Sequence, residues 1–361
     1  MDVARGGHDR RDRCGVNHAF ARFLAQGEQD RRDVFLATAA ERGLPAHHVE
    51  KDFWVCLVLD ILHNGLPVEH PRSFFKGGTS LAKVWELINR FSEDIDIIID
   101  RSKWCGDEIL DPFCNDEETS KKERTRRFER LQAKCANYVG GDLRGVLEHS
   151  LNEMLGGCEV EVDPADELTL LVGYPTLTGS ASSLYVKPKV KIEAGARGAT
   201  APKQNCSVEP YIDQLWSGGS LQVDGISTIT AERTFWEKVV ILHGIHCGYR
   251  DEGRGLNDRH RLSRHYYDVA KILESPTGES ALDDIALLDH VAKHNDIAFP
   301  QAWKKFSEAK PGTLVVIPPG GLREAIRKDY ELMEDMIVGD AESIEWVLER
   351  LERIHERINT A

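Results

Sequence analysis

A glycine pair followed by two aspartates in an apolar run is the feature that most constrains this chain. Residues 74–100 read FFKGGTSLAKVWELINRFSEDIDIIID. The pattern predicts a short strand, a turn at the glycine pair, a helix over 79–91, and a second strand that carries Asp94 and Asp96. Unpaired carboxylates among isoleucines are expensive to bury, so these two side chains need a partner.

On a strand, residues i and i+2 point to the same face, so Asp94 and Asp96 would converge while Ile95 and Ile97 pack behind them. Two adjacent carboxylates repel unless a cation lies between them. Mg²⁺ prefers oxygen ligands and is often shared with substrate phosphates, and Mn²⁺ is an alternative. A solvated strand edge with alternating charge would also explain the pattern.

The glycine pair is a candidate phosphate cradle. Gly77 and Gly78 allow close backbone approach to a ligand, and Lys76, Thr79 and Ser80 beside them offer a charge and two hydroxyls. We therefore expect all five residues to bind a nucleotide. A tight turn with a Ser/Thr cap is the competing interpretation.

A third carboxylate follows in YVKPKVKIEAGAR. Lys187, Lys189, Lys191 and Glu193 alternate on one face of a predicted strand, so Glu193 could join the metal site while Lys189 and Lys191 reach a triphosphate. Two-metal phosphoryl transfer uses about three carboxylates. A polar sheet face with cross-strand ion pairs would show the same alternation.

Two later helices add candidate residues. TAERTFWEKVVILH predicts a helix with Thr230 as its cap and Lys238 in its middle. In RHYYDVAKIL, Arg264 and Asp268 stand at i and i+4, which places them on one helix face. A surface ion pair is the alternative for that spacing.

A basic segment, SKKERTRRFERLQAK, stands out in a chain whose formal net charge is -14. One predicted helix would carry its cations as a phosphate-binding stripe for RNA. A solvated helix paired with neighbouring glutamates would also account for it. The cations are Lys121, Lys122, Arg124, Arg126, Arg127, Arg130 and Lys134.

Bulk properties exclude several classes of protein. No apolar run approaches the roughly 20 residues of a membrane span, and the charged N-terminus lacks the apolar region of a secretory signal. Eight scattered cysteines without a CxxC pair argue against zinc ribbons and disulfide scaffolds and favour the cytoplasm. No G-x-S-x-G or G-x-x-x-x-G-K-[ST] motif occurs, which disfavours serine hydrolases and P-loop NTPases.

The order of patterns predicts an α+β protein with a small mixed sheet inside helices. We expect a disordered leader over 1–17 and an N-terminal domain over 18–225 with a basic helical insertion near 116–155. A helical C-terminal lobe would span 226–361.

These segments together resemble a known family. FKGGTSL…FSEDIDI is similar to the glycine-pair and D-x-D signature of polymerase-β-like nucleotidyltransferases. More narrowly, it resembles the AbiEii/AbiGii group, toxins of type IV toxin–antitoxin and abortive-infection systems. VEKDFWVCLVLDIL, TAERTFWEKVVILH, RHYYDVAKIL and LREAIRKDYELMEDMI resemble that group's segments, in its order. One departure is His265, where relatives often carry Asp.

The resemblance implies the polymerase-β-like fold, an NTP substrate, magnesium, a role as a toxin in antiviral defence, and a cognate antitoxin protein as partner. Its acceptor would be the 3′ end of tRNA. By motif, Gly77, Gly78 and Ser80 would contact phosphates, and Asp94 and Asp96 would bind metals. Glu193 falls where the family carries its third acid, and Lys238, Arg264 and Asp268 would line the nucleotide pocket.

Two alternatives stay open at this stage. The same site could transfer NMP to a protein or a small molecule instead of RNA. The fold could also persist as a catalytically inactive nucleotide-binding module, although three acids kept together argue against that.

Overall fold

The computed structural model of the protein describes residues 15–92, 94–106, 110–114, 119–179, 188–255 and 261–360. Most of the expected leader, part of the expected insertion, and Lys187 lie outside these ranges. Asn17, the last residue of the expected leader, caps the first helix through its side chain.

A seven-stranded mixed sheet forms the centre of the N-terminal half. Its order is β3-β4-β5-β2-β1-β7-β6, with the β2–β5 and β1–β7 pairs parallel and the others antiparallel. This arrangement confirms the α+β prediction. The strands are β1 (Ser73–Lys76), β2 (Asp94–Ile99), β3 (Val160–Asp163), β4 (Asp166–Gly173), β5 (Lys189–Gly195), β6 (Lys203–Val208) and β7 (Val223–Ile229).

Helices surround the sheet and make up nearly all regular structure after β7. They are α1 (His18–Leu24), α2 (Glu28–Arg42), α3 (Ala46–Asp60), α4 (Gly77–Lys83), α5 (Lys121–Tyr138), α6 (Arg144–Met154), α7 (Ala231–Glu252), α8 (Ser263–Leu273), α9 (Pro276–Asp283), α10 (Ile285–Ala298), α11 (Gly320–Met333) and α12 (Ile344–Asn359). None of the described helices is both long and apolar enough to cross a membrane. The seven described cysteines are free thiols.

Strand β2 has two chemically different faces, as its sequence predicts. Ile95, Ile97 and Ile99 join the core between the sheet and helices α1–α3, α5 and α6. Asp94 and Asp96 alternate with them and therefore point away from that core. The apolar face fixes the register of β2, because a one-residue slip would bury both carboxylates.

A second apolar core belongs to the C-terminal helices. It is built from residues of 231–358 together with Leu81 and Ile88 from the N-terminal half. Both residues come from the segment that follows the glycine pair, so this segment is packed against the C-terminal helices. The division into domains at 225 and 226 stays a prediction.

The helix predicted over 79–91 is shorter in the structure, where α4 ends at Lys83. Glu86 takes a left-handed backbone with φ 51°, a conformation that ends a helix. Beyond it the backbone N–H of Phe91 donates to the Met336 carbonyl at 2.7 Å. The early end of α4 allows Arg90 and Ser92 to reach the region between the sheet and the C-terminal helices.

Candidate functional site

A cavity of about 170 Å³ lies between the polar face of β1, β2 and β5 and the helices α7 and α8. The sheet side carries carboxylates, from Asp94, Asp96 and Glu193, with Lys76 beside Asp96. The facing wall carries cations, from Arg90, Lys238 and Arg264, together with the Glu237 carboxylate. The loop at Gly77 and Gly78 lines the cavity between them.

Strand pairing gathers the carboxylates. The parallel register of β2 and β5 places Asp96 beside Glu193, and the antiparallel register of β1 and β2 places Lys76 beside Asp96. Burial, repulsion from Glu193 and repulsion from Asp94 raise the pKa of Asp96 to about 7, against the attraction of Lys76. A divalent cation would relieve this repulsion, so the donor set fits an oxygen-ligated metal.

The three carboxylates share the cavity but are not yet arranged around one point. Within the described ranges, no three carboxylate, imidazole or thiol groups stand in a metal-binding cluster. The Lys191 ammonium makes an ion pair with the Glu193 carboxylate on the same strand face. Binding a metal through Glu193 would therefore require this pair to open.

Close packing explains why two glycines stand at the loop. Gly77 has φ 81°, and a Cβ atom there would overlap the Asp96 carboxylate. A Cβ on Gly78 would lie 2.6 Å from Nη2 of Arg90 and 2.8 Å from Oγ of Ser92. The loop thus touches both walls of the cavity with bare backbone, which is what close approach to a phosphate needs.

The two hydroxyls after the glycines have internal partners. Oγ1 of Thr79 donates to the Asp94 carbonyl at 2.5 Å and accepts from Oγ of Ser92 at 2.9 Å. Oγ of Ser80 donates to the Gly77 carbonyl at 3.0 Å, and both side chains are buried. They hold the loop and β2 in place, and the hydroxyl residues that line the cavity are Ser92 and Thr234.

One buried carboxylate organises the cationic wall. Oδ1 of Asp268 accepts from Nε of Arg90 at 2.7 Å, and Oδ2 accepts from Nη2 of Arg90 at 2.8 Å and from Nζ of Lys238 at 2.9 Å. Burial alone would raise the pKa of Asp268, but Arg90 and Lys238 hold it well below its usual range. Asp268 is therefore an anion that orients two cations toward the cavity.

Nζ of Lys238 also lies 3.4 Å from Nδ1 of His265. Burial, with Lys238 and Arg264 nearby, keeps the pKa of His265 well below its ordinary value. Burial also lowers the pKa of Lys238, against the pull of Asp268. A neutral His265 can accept a hydrogen bond from this ammonium without adding charge to the wall.

A second carboxylate positions Lys76 in the same way. Oε2 of Glu237 accepts from Nζ of Lys76 at 3.1 Å, and Oε1 accepts from Nε of the buried Arg233 at 3.1 Å. Glu237 raises the pKa of Lys76, so this side chain stays charged. Asp268 and Glu237 thus each pair with two cations. Each group keeps a net positive charge, which acts on the carboxylates of β2 and β5.

Comparison with known proteins decides the family. The family model of the nucleotidyl transferase AbiEii toxin of type IV toxin–antitoxin systems matches residues 60–350. The chain belongs to the AbiEii family. This AbiEii protein is accordingly a nucleotidyltransferase toxin of the type IV class.

Two other comparisons add little to the family match. A solved structure, MenT4, a nucleotidyltransferase toxin from Mycobacterium tuberculosis H37Rv, is 15% identical and aligns over 91% of this chain and 99% of its own with a TM-score of 0.42. No curated protein matches the chain.

Several predicted site residues of this AbiEii protein have internal partners in the structure, and their roles stay predictions. Asp268 was expected to line the nucleotide pocket with Arg264, but it is fully buried and its ion pairs are with Arg90 and Lys238. Ser80 was expected to contact phosphates, but its hydroxyl bonds to the loop backbone. Lys189 was expected at a triphosphate, but it pairs with Glu161 of β3.

Arg127 also differs from its expected place in an exposed stripe. It is 6% exposed, and its Nε lies 3.5 Å from Oε1 of Glu123. The helix buries the face that carries Arg127, Phe128 and Leu131, so this cation is turned toward the core. Lys121, Lys122, Arg126 and Arg130 are exposed and Arg124 is half-buried.

Sequence reasoning missed Arg90, Ser92 and Glu237. Arg90 and Ser92 follow the early end of α4, and no residue pattern predicted that the helix ends there. Glu237 did carry a signal, because it stands four residues after Arg233 on α7 and such pairs share a helix face.

We predict that Gly77→Ala lowers nucleotidyl transfer by at least about 100-fold, since a displaced catalytic group can reduce the rate that far. The new methyl group must push the Asp96 carboxylate away and strain a left-handed backbone. Rates of transfer from a labelled NTP, measured beside thermal melting, check this. Gly145→Ala in α6 is the control, because a Cβ there meets nothing within 4 Å. Retention of a tenth or more of the activity would contradict the packing argument.

We also predict that Asp96→Asn raises the melting temperature at pH 8 in EDTA. The folded-state pKa of Asp96 is raised from 3.8 to about 7, so its ionised form destabilises the fold above about pH 7 and has no such effect below about pH 4. The gain should shrink as the pH falls from 8 to 5. Differential scanning fluorimetry across this range, with Asp142→Asn as an exposed control, measures it. A variant that is no more stable at pH 8 would refute the repulsion argument.

Proposed function

We propose that this AbiEii protein transfers a nucleoside monophosphate from an NTP to the 3′ end of a tRNA in the cytoplasm. The observation that carries the proposal is the cavity with facing anionic and cationic walls. A nucleoside triphosphate with its metal presents the complementary charges.

Asp94, Asp96 and Glu193 would hold Mg²⁺, or Mn²⁺, which supplies charge neutralisation at the reacting phosphate. The raised pKa of Asp96 supports this assignment, because neighbouring carboxylates that repel one another gain stability when they bind a cation. Glu193 would also accept the proton of the attacking hydroxyl. The hydroxyl oxygen then bonds to the α-phosphorus, and pyrophosphate leaves.

The cationic wall would bind the triphosphate. Gly77 and Gly78 offer backbone N–H groups next to Asp96, and Lys238 and Arg264 offer charge from α7 and α8. Negative charge moves onto the leaving pyrophosphate during the reaction, and fixed cations stabilise that charge. Asp268 and Glu237 would act indirectly, by keeping Lys238, Arg90 and Lys76 in position.

The exposed face of α5 supports RNA as the acceptor. Lys122, Arg126, Arg130 and Lys134 are all exposed and follow one another at i+4 spacing. They form a row about 18 Å long, since a helix rises ~1.5 Å per residue. Glu123, 4.0 Å from Arg126, offsets part of the repulsion within the row, and phosphates lying along it would offset the rest. In an acidic chain it is a local site for a nucleic-acid backbone.

The type IV family implies a cognate antitoxin. We propose that release from it allows the toxin to block aminoacylation, which would stop growth of an infected cell.

The first experiment combines purified protein, Mg²⁺ and total bacterial tRNA with each of the four α-³²P-labelled NTPs in turn. We expect label in tRNA from the intact protein and a loss of at least about 100-fold in Asp94→Asn, since removing a group that stabilises the transition state costs this much. Asp142→Asn, an exposed carboxylate between α5 and α6, should match the intact protein. Label in protein instead of RNA would favour NMP transfer to a protein, and full activity of Asp94→Asn would overturn the proposed site.

A second experiment tests the RNA acceptor. Arg126→Glu with Arg130→Glu should raise the KM for tRNA at least about tenfold and leave the KM for NTP unchanged, because two phosphate contacts are lost. The slope of log affinity against log salt should fall in magnitude by ~1.5. Lys310→Glu with Lys328→Glu reverses two exposed charges elsewhere and is the control. Equal KM values for tRNA in both double variants would exclude the row on α5 from acceptor binding.

A further inference from the structure

A second cavity, of about 360 Å³, adjoins the first and shares Lys76, Asp96 and Glu193 with it. Its other walls come from α5, the end of β5 and the residues just after it, β2, the start of β4 with Asp166 and Leu168, and Phe299 just after α10. The two cavities therefore meet at the carboxylates. Neither the family match nor the site described above assigns anything to this second space.

The chemistry needs two binding spaces that meet at the metal ligands. In an in-line displacement the attacking oxygen and the leaving oxygen lie on opposite sides of the phosphorus. The smaller cavity holds Gly77, Gly78, Lys238 and Arg264 and suits the leaving pyrophosphate. The attacking group must then reach the carboxylates through another space, and the larger cavity borders two of them.

The lining of the larger cavity suits a nucleobase. The floor of this cavity lies over Leu131 and Cys135 of α5, which are themselves fully buried in the apolar core. Phe299 is 42% exposed, which is unusual for so large an apolar side chain. The volume of the larger cavity, about 360 Å³, lies within the range of pockets that hold small ligands of nucleotide size.

Arg197 and Phe299 stand together at this cavity. Nη2 of Arg197 donates to Oε1 of Gln132 at 2.7 Å, and Nη1 donates to the Ala298 carbonyl, one residue before Phe299, at 3.5 Å. The guanidinium carbon of Arg197 lies 5.1 Å from the centre of the Phe128 ring. Aromatic rings and guanidinium planes are the groups on which proteins stack unpaired RNA bases.

Helix α5 connects this cavity to the cationic row. Leu131, Gln132 and Cys135 line the cavity, while Arg130 and Lys134 next to them are exposed on the other side of the same helix. A strand whose last nucleotide occupies the cavity could pass its phosphates over these cations. A protein side chain or a small-molecule acceptor carries no succession of phosphates that this row of cations would bind.

We infer that the larger cavity receives the 3′-terminal nucleotide of a single-stranded RNA end, with its base against Phe299 and Arg197 and its hydroxyl toward Glu193 and Asp96. The inference rests on the proposed function and adds the place and the contacts of the acceptor. Phe299 and Arg197 are positioning residues for that acceptor and do not contact the triphosphate.

The test compares Phe299→Ala, Phe299→Tyr and, as a control, Leu332→Ala, which alters a side chain 74% exposed on α11. In the tRNA-labelling assay, Phe299→Ala should raise the KM for tRNA about tenfold, the loss expected for one stacked base. The KM for NTP should stay unchanged, and Phe299→Tyr should restore the KM for tRNA because it keeps the ring. Leu332→Ala should behave as the intact protein.

Binding is measured separately, by fluorescence anisotropy with a 5′-fluorescein single-stranded RNA and no NTP. Weaker binding by Phe299→Ala, restored in Phe299→Tyr, supports the inference even if no label enters RNA, a result that would sink the proposed function alone. If the intact protein labels tRNA and Phe299→Ala has the same KM for tRNA and the same RNA affinity, the inference alone fails. A rise in the KM for NTP would also overturn it, since the cavity would then hold the nucleotide substrate.

Discussion

The buried carboxylate of Asp268 is the contact on which the arrangement of the site depends. It joins the segment after α4, through Arg90, to α7, through Lys238, and it stands on α8 itself. Three parts of the chain that are distant in sequence thus meet at one fully buried anion. Removing it would leave two buried cations without their partner, and an unpaired buried charge is among the most destabilising changes a protein can suffer.

This anchoring has a chemical consequence. Lys238 is held by Asp268 and approached by His265, so its ammonium has a defined direction before any nucleotide arrives. Glu237 does the same for Lys76 on the other side of the cavity. Catalysis by fixed charges requires that the charges be oriented in advance, because reorienting them during the reaction would consume the stabilisation they provide. The carboxylates of Asp94, Asp96 and Glu193 are not arranged around one point, since Glu193 pairs with Lys191. A metal would draw them together.

The sequence predicted those features of the fold and the site that depend on contacts between residues close together in the chain. The alternation of Asp94 and Asp96 with isoleucines predicted β2 and its two faces, because strand geometry relates residues two apart. Thr230 was predicted as the cap of α7, and its side chain does accept from the Arg233 N–H. Local rules failed where distant residues decide. The helix predicted over 79–91 ends early because residues near 90 bond to residues near 337. Arg264 and Asp268 share a helix, yet the partner of Asp268 comes from 178 positions away, which helical spacing could not reveal.

The most direct test of the facing walls is a crystal structure with Mg²⁺ and a non-hydrolysable NTP analogue whose α,β-bridging oxygen is replaced by carbon. The account predicts the triphosphate between the Gly77–Gly78 loop and the Lys238 and Arg264 side chains. It also predicts metal density on Asp94 and Asp96, and a Glu193 carboxylate that has left Lys191. A nucleotide bound elsewhere, or a metal that avoids these aspartates, would contradict the central claim that the two walls together hold a metal-bound triphosphate.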